Sequence, residues 1–212
     1  MGLRWRDWAD RFGVAVGYTA ALGAGTLLLH TRPRHVRDAW LDWASTNLAN
    51  ATDHPLSTLV VSALLTDGDV AGWLGLSLIG LASVGWRLGA WRTLALVGTA
   101  HVLGTVISEG ILAIRIATGA VPASAEHIRD VGPSYVVVAG LVAGLGYGPW
   151  PAKPLCAIGF ALVAPSLFGG LFQLDVPPVG HVCAIVIAIG LGALLVYRRR
   201  RAQVPAEPAA GS

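Results

Sequence analysis

Long apolar runs, separated by short polar breaks that carry arginines, fill most of the chain. They fall at residues 12–29, 70–86, 93–117, 133–147, 155–171 and 179–197. A helix needs about 17–25 mostly apolar residues to cross the hydrocarbon core of a bilayer. The pattern therefore predicts an all-α membrane protein with six transmembrane helices. The runs at 70–86 and 133–147 are short and glycine-rich, so their ends are the least defined. Arg4, Arg6 and Arg11 precede the first run, as in a signal peptide, but the run is long and no small-residue cleavage site follows it. An uncleaved first helix is expected.

The segment between the first two runs is too long for a plain connector. In it Trp40, Leu41, Trp43 and Leu48 mix with Asp38, Asp42 and Asn47, the pattern of an interfacial helix with aromatic anchors. His54-Pro55 then opens a second apolar piece, 56–65, too short to span. It has to lie flat or dip in against other helices, because irregular backbone cannot face lipid.

Composition agrees with this pattern. The 212 residues are 54% hydrophobic and 13% charged, where soluble domains carry about 25% charge, and mean hydropathy is +0.63. One Lys stands against fourteen Arg, a bias that suggests a GC-rich bacterial genome, so the expected location is a bacterial plasma membrane. The net charge of +3 is no nucleic-acid signal, since the arginines gather at the ends of apolar runs. With the N-terminus inside, ten Lys and Arg fall on the cytoplasmic side and five outside, which predicts cytoplasmic termini. One domain over 1–200 and a disordered cytoplasmic tail over 201–212 follow. Cys156 and Cys183 lie inside apolar runs, so no disulfide scaffold is expected. No cofactor, no metal and no nucleic-acid partner is expected; the lipid bilayer is.

Ionisable groups inside a membrane are costly, and each is a functional hypothesis. His101 and Glu109 lie on the third run, Ser134 opens the fourth and His181 opens the sixth. Small residues let helices approach closely. Gly140 and Gly144 on the fourth run and Ala184 and Ala188 on the sixth therefore predict that these two helices pack together. That would bring Ser134 and His181 within reach, in a polar cavity open to the outer side. Ser134 as a helix cap and His181 as a packed imidazole bonded to a carbonyl are the plain alternatives. His101 and Glu109, about 80° apart around a helix, read as a proton path, an unusual oxyanion partner, or a buried interhelical hydrogen bond, which is the preferred reading. Asp130 reads as a cap for the fourth helix.

From about Asn47 to Ala193 the chain resembles the rhomboid family, most closely its divergent actinobacterial members. The resemblance rests on Gly132-Pro133-Ser134 opening the fourth helix and on His181 followed by Ala184 and Ala188. The 54–63 piece, like the end of a first loop, and Arg87-Leu88-Gly89 after the second helix add to it. It implies a six-helix rhomboid-like bundle with a membrane-associated first loop. It also implies that Ser134 attacks a peptide bond of a membrane-embedded substrate and that His181 accepts its proton. Rhomboid proteases usually carry a His and an Asn four apart near the start of the second helix to bind the oxyanion. Here those places hold Ala71 and Gly75, or Asp69 and Trp73, depending on the register. Gly132, Tyr135 and Trp73 are the remaining candidates for oxyanion binding or support. Tyr135 stands where Gly is common, and Val138 where an aromatic often supports the His.

An intramembrane serine protease is one expected function. The alternative is an inactive rhomboid-like protein that binds client transmembrane helices for quality control or trafficking. A small transporter using His101 and Glu109 is a third reading, opposed by the lack of matching broken helices in two halves.

Overall fold

The structure is a computed structural model that describes residues 4–202. Among them are nine α-helices, three 3-10 turns and no strand. Five segments are long and apolar enough to cross a membrane: α1 (Trp5–His30), α5 (Val70–Leu88), α6 (Ala90–Ala117), α8 (Lys153–Leu167) with the 3-10 turn before it, and α9 (Val176–Arg201). The sixth apolar helix, α7 (Ser134–Tyr147), has only 14 residues.

That shortness has a consequence. Fourteen residues at about 1.5 Å each make a helix of roughly 21 Å, well short of a hydrocarbon core about 30 Å thick. At least one end of α7 must therefore lie below the membrane surface. A helix that is apolar all round belongs inside a bundle, and α7 is buried from Tyr135 to Leu141, with α5, α6, α8 and α9 around it.

α7 and α9 do pack together, as expected, but not through all of the small residues expected to join them. A Cβ added at Gly140 would meet Leu81 and the Gly80 backbone at 3.3–3.4 Å, and one at Gly144 would meet Cys156 Sγ at 2.6 Å and Ser83 Cβ at 3.0 Å. Gly140 and Gly144 therefore bring α7 against α5 and α8, not against α9. Ala184 and Ala188 are fully buried and do face the interior, where they join a core with Tyr135, Val136, Ala139 and Ala143.

Helix ends differ from the apolar runs in ways that matter. The fifth run reads through to residue 171, but α8 stops at Leu167, ahead of Gly169 and of Gly170 at φ 83°. The sixth run begins at 179, but α9 begins at Val176. It also continues to Arg201, where the tail was expected to begin; the rest of that expected tail, 203–212, lies outside the described residues. Between α5 and α6 the chain turns at Gly89, φ 82°, above Asp10 of α1, whose Oδ1 accepts the Ala90 N–H at 3.1 Å.

The first loop forms three short helices: α2 (Arg34–Ala44), α3 (Leu48–Asp53) and α4 (Pro55–Ser62). Asn47 caps α3 by accepting the Asn50 N–H at 2.9 Å. Asn50 Nδ2 in turn donates to the carbonyls of Asp42, Trp43 and Ser45, closing the end of α2. His54 stacks on Trp43 with ring centroids 5.2 Å apart. The last carbonyls of any helix lack intrahelical partners. Around the end of α4 the bundle supplies them: His101 for Leu59, the Gly132 N–H for Ser62 and the Tyr18 hydroxyl for Ala63. The loop is thereby tied to α1, α6 and the start of α7.

Candidate functional site

Ser134 and His181, 47 positions apart, meet at the N-terminal ends of α7 and α9. Ser134 Oγ lies 2.9 Å from His181 Nε2, and His181 Nδ1 lies 3.0 Å from the Leu167 carbonyl oxygen. A carbonyl can only accept, so Nδ1 carries the proton in neutral His181. Nε2 is then a lone pair and accepts the Ser134 hydroxyl. The second ring nitrogen sets the tautomer of the first, and here the early end of α8 frees the carbonyl that does so. An apolar run read to 171 conceals that acceptor.

Tyr135 supplies the aromatic contact with the imidazole that the position of Val138 often supplies in rhomboid proteases. Its ring meets His181 edge-on, with centroids 5.0 Å apart at 84°. The phenol is bulky, and two glycines make room for it. A Cβ at Gly180 would collide with the Tyr135 ring, and one at Gly104 would lie 3.6 Å from it and 3.1 Å from the Gly180 carbonyl. Rhomboid proteases commonly place the small residue directly after the serine. Here the small residues sit on the two neighbouring helices.

Asp130 does not cap α7, which has no side-chain cap. Asp130 Oδ2 accepts from the Tyr135 hydroxyl at 3.0 Å and from Thr46 Oγ1 at 3.3 Å. Burial pushes the Asp130 carboxyl above its ordinary range, and these two hydrogen bonds offset part of that shift. Its backbone is stitched to the first loop: the Asp130 N–H donates to Ser45 Oγ at 2.9 Å and the Thr46 N–H to the Asp130 carbonyl at 3.0 Å. Gly132 donates its N–H to the Ser62 carbonyl at 3.1 Å. The segment leading into Ser134 is thus held by the loop that covers it. The Ser45-Thr46-Asn47 polar triplet is the only mark of this in the sequence.

These groups line a crevice that also receives His101 and is too tight for a water molecule. The expected open polar cavity is therefore absent at this position. Loop residues Thr46 and Ser62 close it on one side and the Tyr135 ring on another. His101 Nε2 lies 2.8 Å from the Leu59 carbonyl, so it donates there and leaves Nδ1 as a lone pair without a partner among the described residues. His101 thus makes an interhelical hydrogen bond, to α4, whereas Glu109 makes none among the described residues; His101 also lines the crevice with Ser134. A neutral His101 in this tautomer has no proton left for an oxyanion.

Trp73 is not part of the site. It packs against the cluster of Val137, Leu141 and Cys156 on another face of α7. Glu109 is buried on α6 with neither carboxylate oxygen partnered among the described residues, and it does not line the crevice. Backbone donors are available at Ser134 itself. The first ladder bond of α7 runs from the Val137 N–H to the Pro133 carbonyl at 2.9 Å, so the three preceding amides lie ahead of the ladder, where helices present free N–H groups.

A family model described as rhomboid-like protein matches residues 13–202. No curated protein and no solved structure matches the chain. A match over nearly the whole chain, on an all-helical bundle with its polar pair at the mouth of a short buried helix, makes this chain a member of the rhomboid-like family of integral membrane proteins.

Proposed function

We propose that the protein is an intramembrane serine protease in which Ser134 is the nucleophile and His181 the general base. The observation that carries this reading is the bonding of His181: Nδ1 at 3.0 Å from the Leu167 carbonyl and Nε2 at 2.9 Å from Ser134 Oγ. A base has to lie within about 2.6–3.2 Å of the proton it takes. The Ser134 proton passes to Nε2 as Oγ attacks the scissile carbonyl, and the Leu167 oxygen takes the orienting role that a carboxylate has in a triad. The imidazolium returns the proton to the leaving amine, and water then releases the acyl group by the same exchange in reverse. The free amides at the start of α7, Ser134 first among them, are the donors available to the oxyanion. Both termini on the cytoplasmic side, as the Arg distribution predicts, would put the dyad toward the outer face.

A second reading, an inactive family member that holds client transmembrane helices, is favoured by two observations. The crevice admits no water, and no His–Asn pair stands on α5. Loss of a single oxyanion donor costs on the order of 10²–10³ in rate.

Labelling by a fluorophosphonate in liposomes decides between them. The protease reading predicts labelling of the wild type and its loss in both Ser134→Ala and His181→Ala, about equally, because the pair acts as a unit. A folded wild type that takes no label, or a His181→Ala variant that labels as fast as wild type, would overturn it.

A further inference from the structure

At the end of the bundle that bears both termini, Arg11, Arg87, Arg199 and Arg200 line one cavity of about 250 Å³ together with Trp86. Among the described residues no carboxylate lies within salt-bridge distance of any of the four. The nearby acids are engaged elsewhere, Asp7 with Arg4 and Asp10 with the Ala90 N–H. Helix C-termini favour cations, which accounts for Arg87, Arg199 and Arg200 at the ends of α5 and α9, and Arg199 donates to the Arg87 carbonyl. That does not account for Arg11, which lies in the first half of α1 and stacks on Trp86 at 4.4 Å. Four guanidinium groups around one cavity repel each other, and an anion in it removes that cost.

Trp86 is also the wall of a second hollow. An apolar groove of about 280 Å³ runs from it between α1, α5 and α8, lined by Phe12, Leu78, Ala82 and Leu155 among others. Exposed Trp5 and Trp91 stand at the same end of the bundle, as aromatic rings do at the headgroup level. A cationic cavity at headgroup depth and an apolar groove below it, sharing one indole, match the two parts of a phospholipid. We propose that this is a binding site for one anionic phospholipid, with its phosphate among the four arginines and an acyl chain in the groove. Basic pockets between transmembrane helices bind such headgroups on electrostatic grounds. The continuity with the groove selects a lipid over a free phosphate ion.

The test is native mass spectrometry of the full-length protein in detergent with phosphatidylglycerol or phosphatidylcholine, and with inorganic phosphate in a parallel thermal-stability series. Wild type should retain one phosphatidylglycerol in preference to phosphatidylcholine. The R87Q/R200Q variant removes two charges and leaves the Arg11–Trp86 stack and the Arg199 bond in place. Retention should fall about twenty-fivefold, from roughly fivefold per arginine near a membrane surface. Ala82→Trp, which fills the groove, should also reduce retention, while melting in detergent without lipid reports its fold. Equal retention of the two lipids by wild type, or a preference unchanged in R87Q/R200Q, would overturn the site. Equal stabilisation by inorganic phosphate would overturn the lipid in favour of a free anion.

Discussion

Replacing Tyr135 by Phe deletes one hydroxyl and keeps the ring. The hydroxyl donates to Asp130 Oδ2 at 3.0 Å and lies 3.4 Å from the Val176 carbonyl. Without it, Asp130 Oδ2 keeps only Thr46 Oγ1, at 3.3 Å. Leaving a buried acceptor short of a partner costs about 1–3 kcal/mol. For a domain of this size each kcal/mol shifts the melting temperature by about 2–4 °C, so a loss of roughly 2–12 °C is expected near neutral pH. The pH dependence is specific to the cause. Burial raises the folded-state pKa of Asp130 above its ordinary 3.8, so the folded chain holds that proton to higher pH than the unfolded chain does. Stability from this group is therefore greatest in acid and declines as pH rises from about 3.8 through the raised value. Tyr135→Phe should steepen that decline, and Asp130→Asn should remove it. In the Asp130→Asn background the cost of Tyr135→Phe should shrink by a coupling of about 0.5–3 kcal/mol. Thermal melts in detergent from pH 4 to 8 on the four proteins measure all of this. Equal losses in both backgrounds, or an unchanged pH slope in Asp130→Asn, would refute the proposed coupling of Tyr135 to a strained carboxylate. Fluorophosphonate labelling should survive Tyr135→Phe, since the ring edge against His181 remains.

Gly144→Leu should destabilise strongly, at or above the 1–3 kcal/mol typical of overpacking, because its Cβ meets Cys156 and Ser83. Gly146→Ala, inside α7 with open space around it, should hold or gain stability by up to about 1 kcal/mol in the same melts and serves as the control for helix propensity. If the dyad is catalytic, activity on a transmembrane substrate should fall on the acid side as His181 takes a proton and can no longer accept one from Ser134. A rate that rises on acidification would exclude His181 as the base.

The apolar runs alone determined that this is a helical membrane protein, because a bilayer leaves a long apolar segment no other way to satisfy its backbone. They also placed Ser134 and His181 at helix starts, and the motif around Ser134 was legible for the same local reason. What the sequence could not decide was which side chains and carbonyls meet. Gly140 and Gly144 looked suited to α9 but face α5 and α8, since small residues state that something comes close without stating which neighbour. Trp73 stood in line with an oxyanion position and packs elsewhere. The acceptor that orients His181 is a backbone carbonyl, Leu167, and every residue has one. Only the point at which α8 ends makes that oxygen available. Likewise the closed crevice comes from the first loop, whose Thr46 bonds Asp130 across 84 residues. Apolar periodicity reports the environment of each residue; the partner of a hydrogen bond depends on where two distant helix ends come to rest.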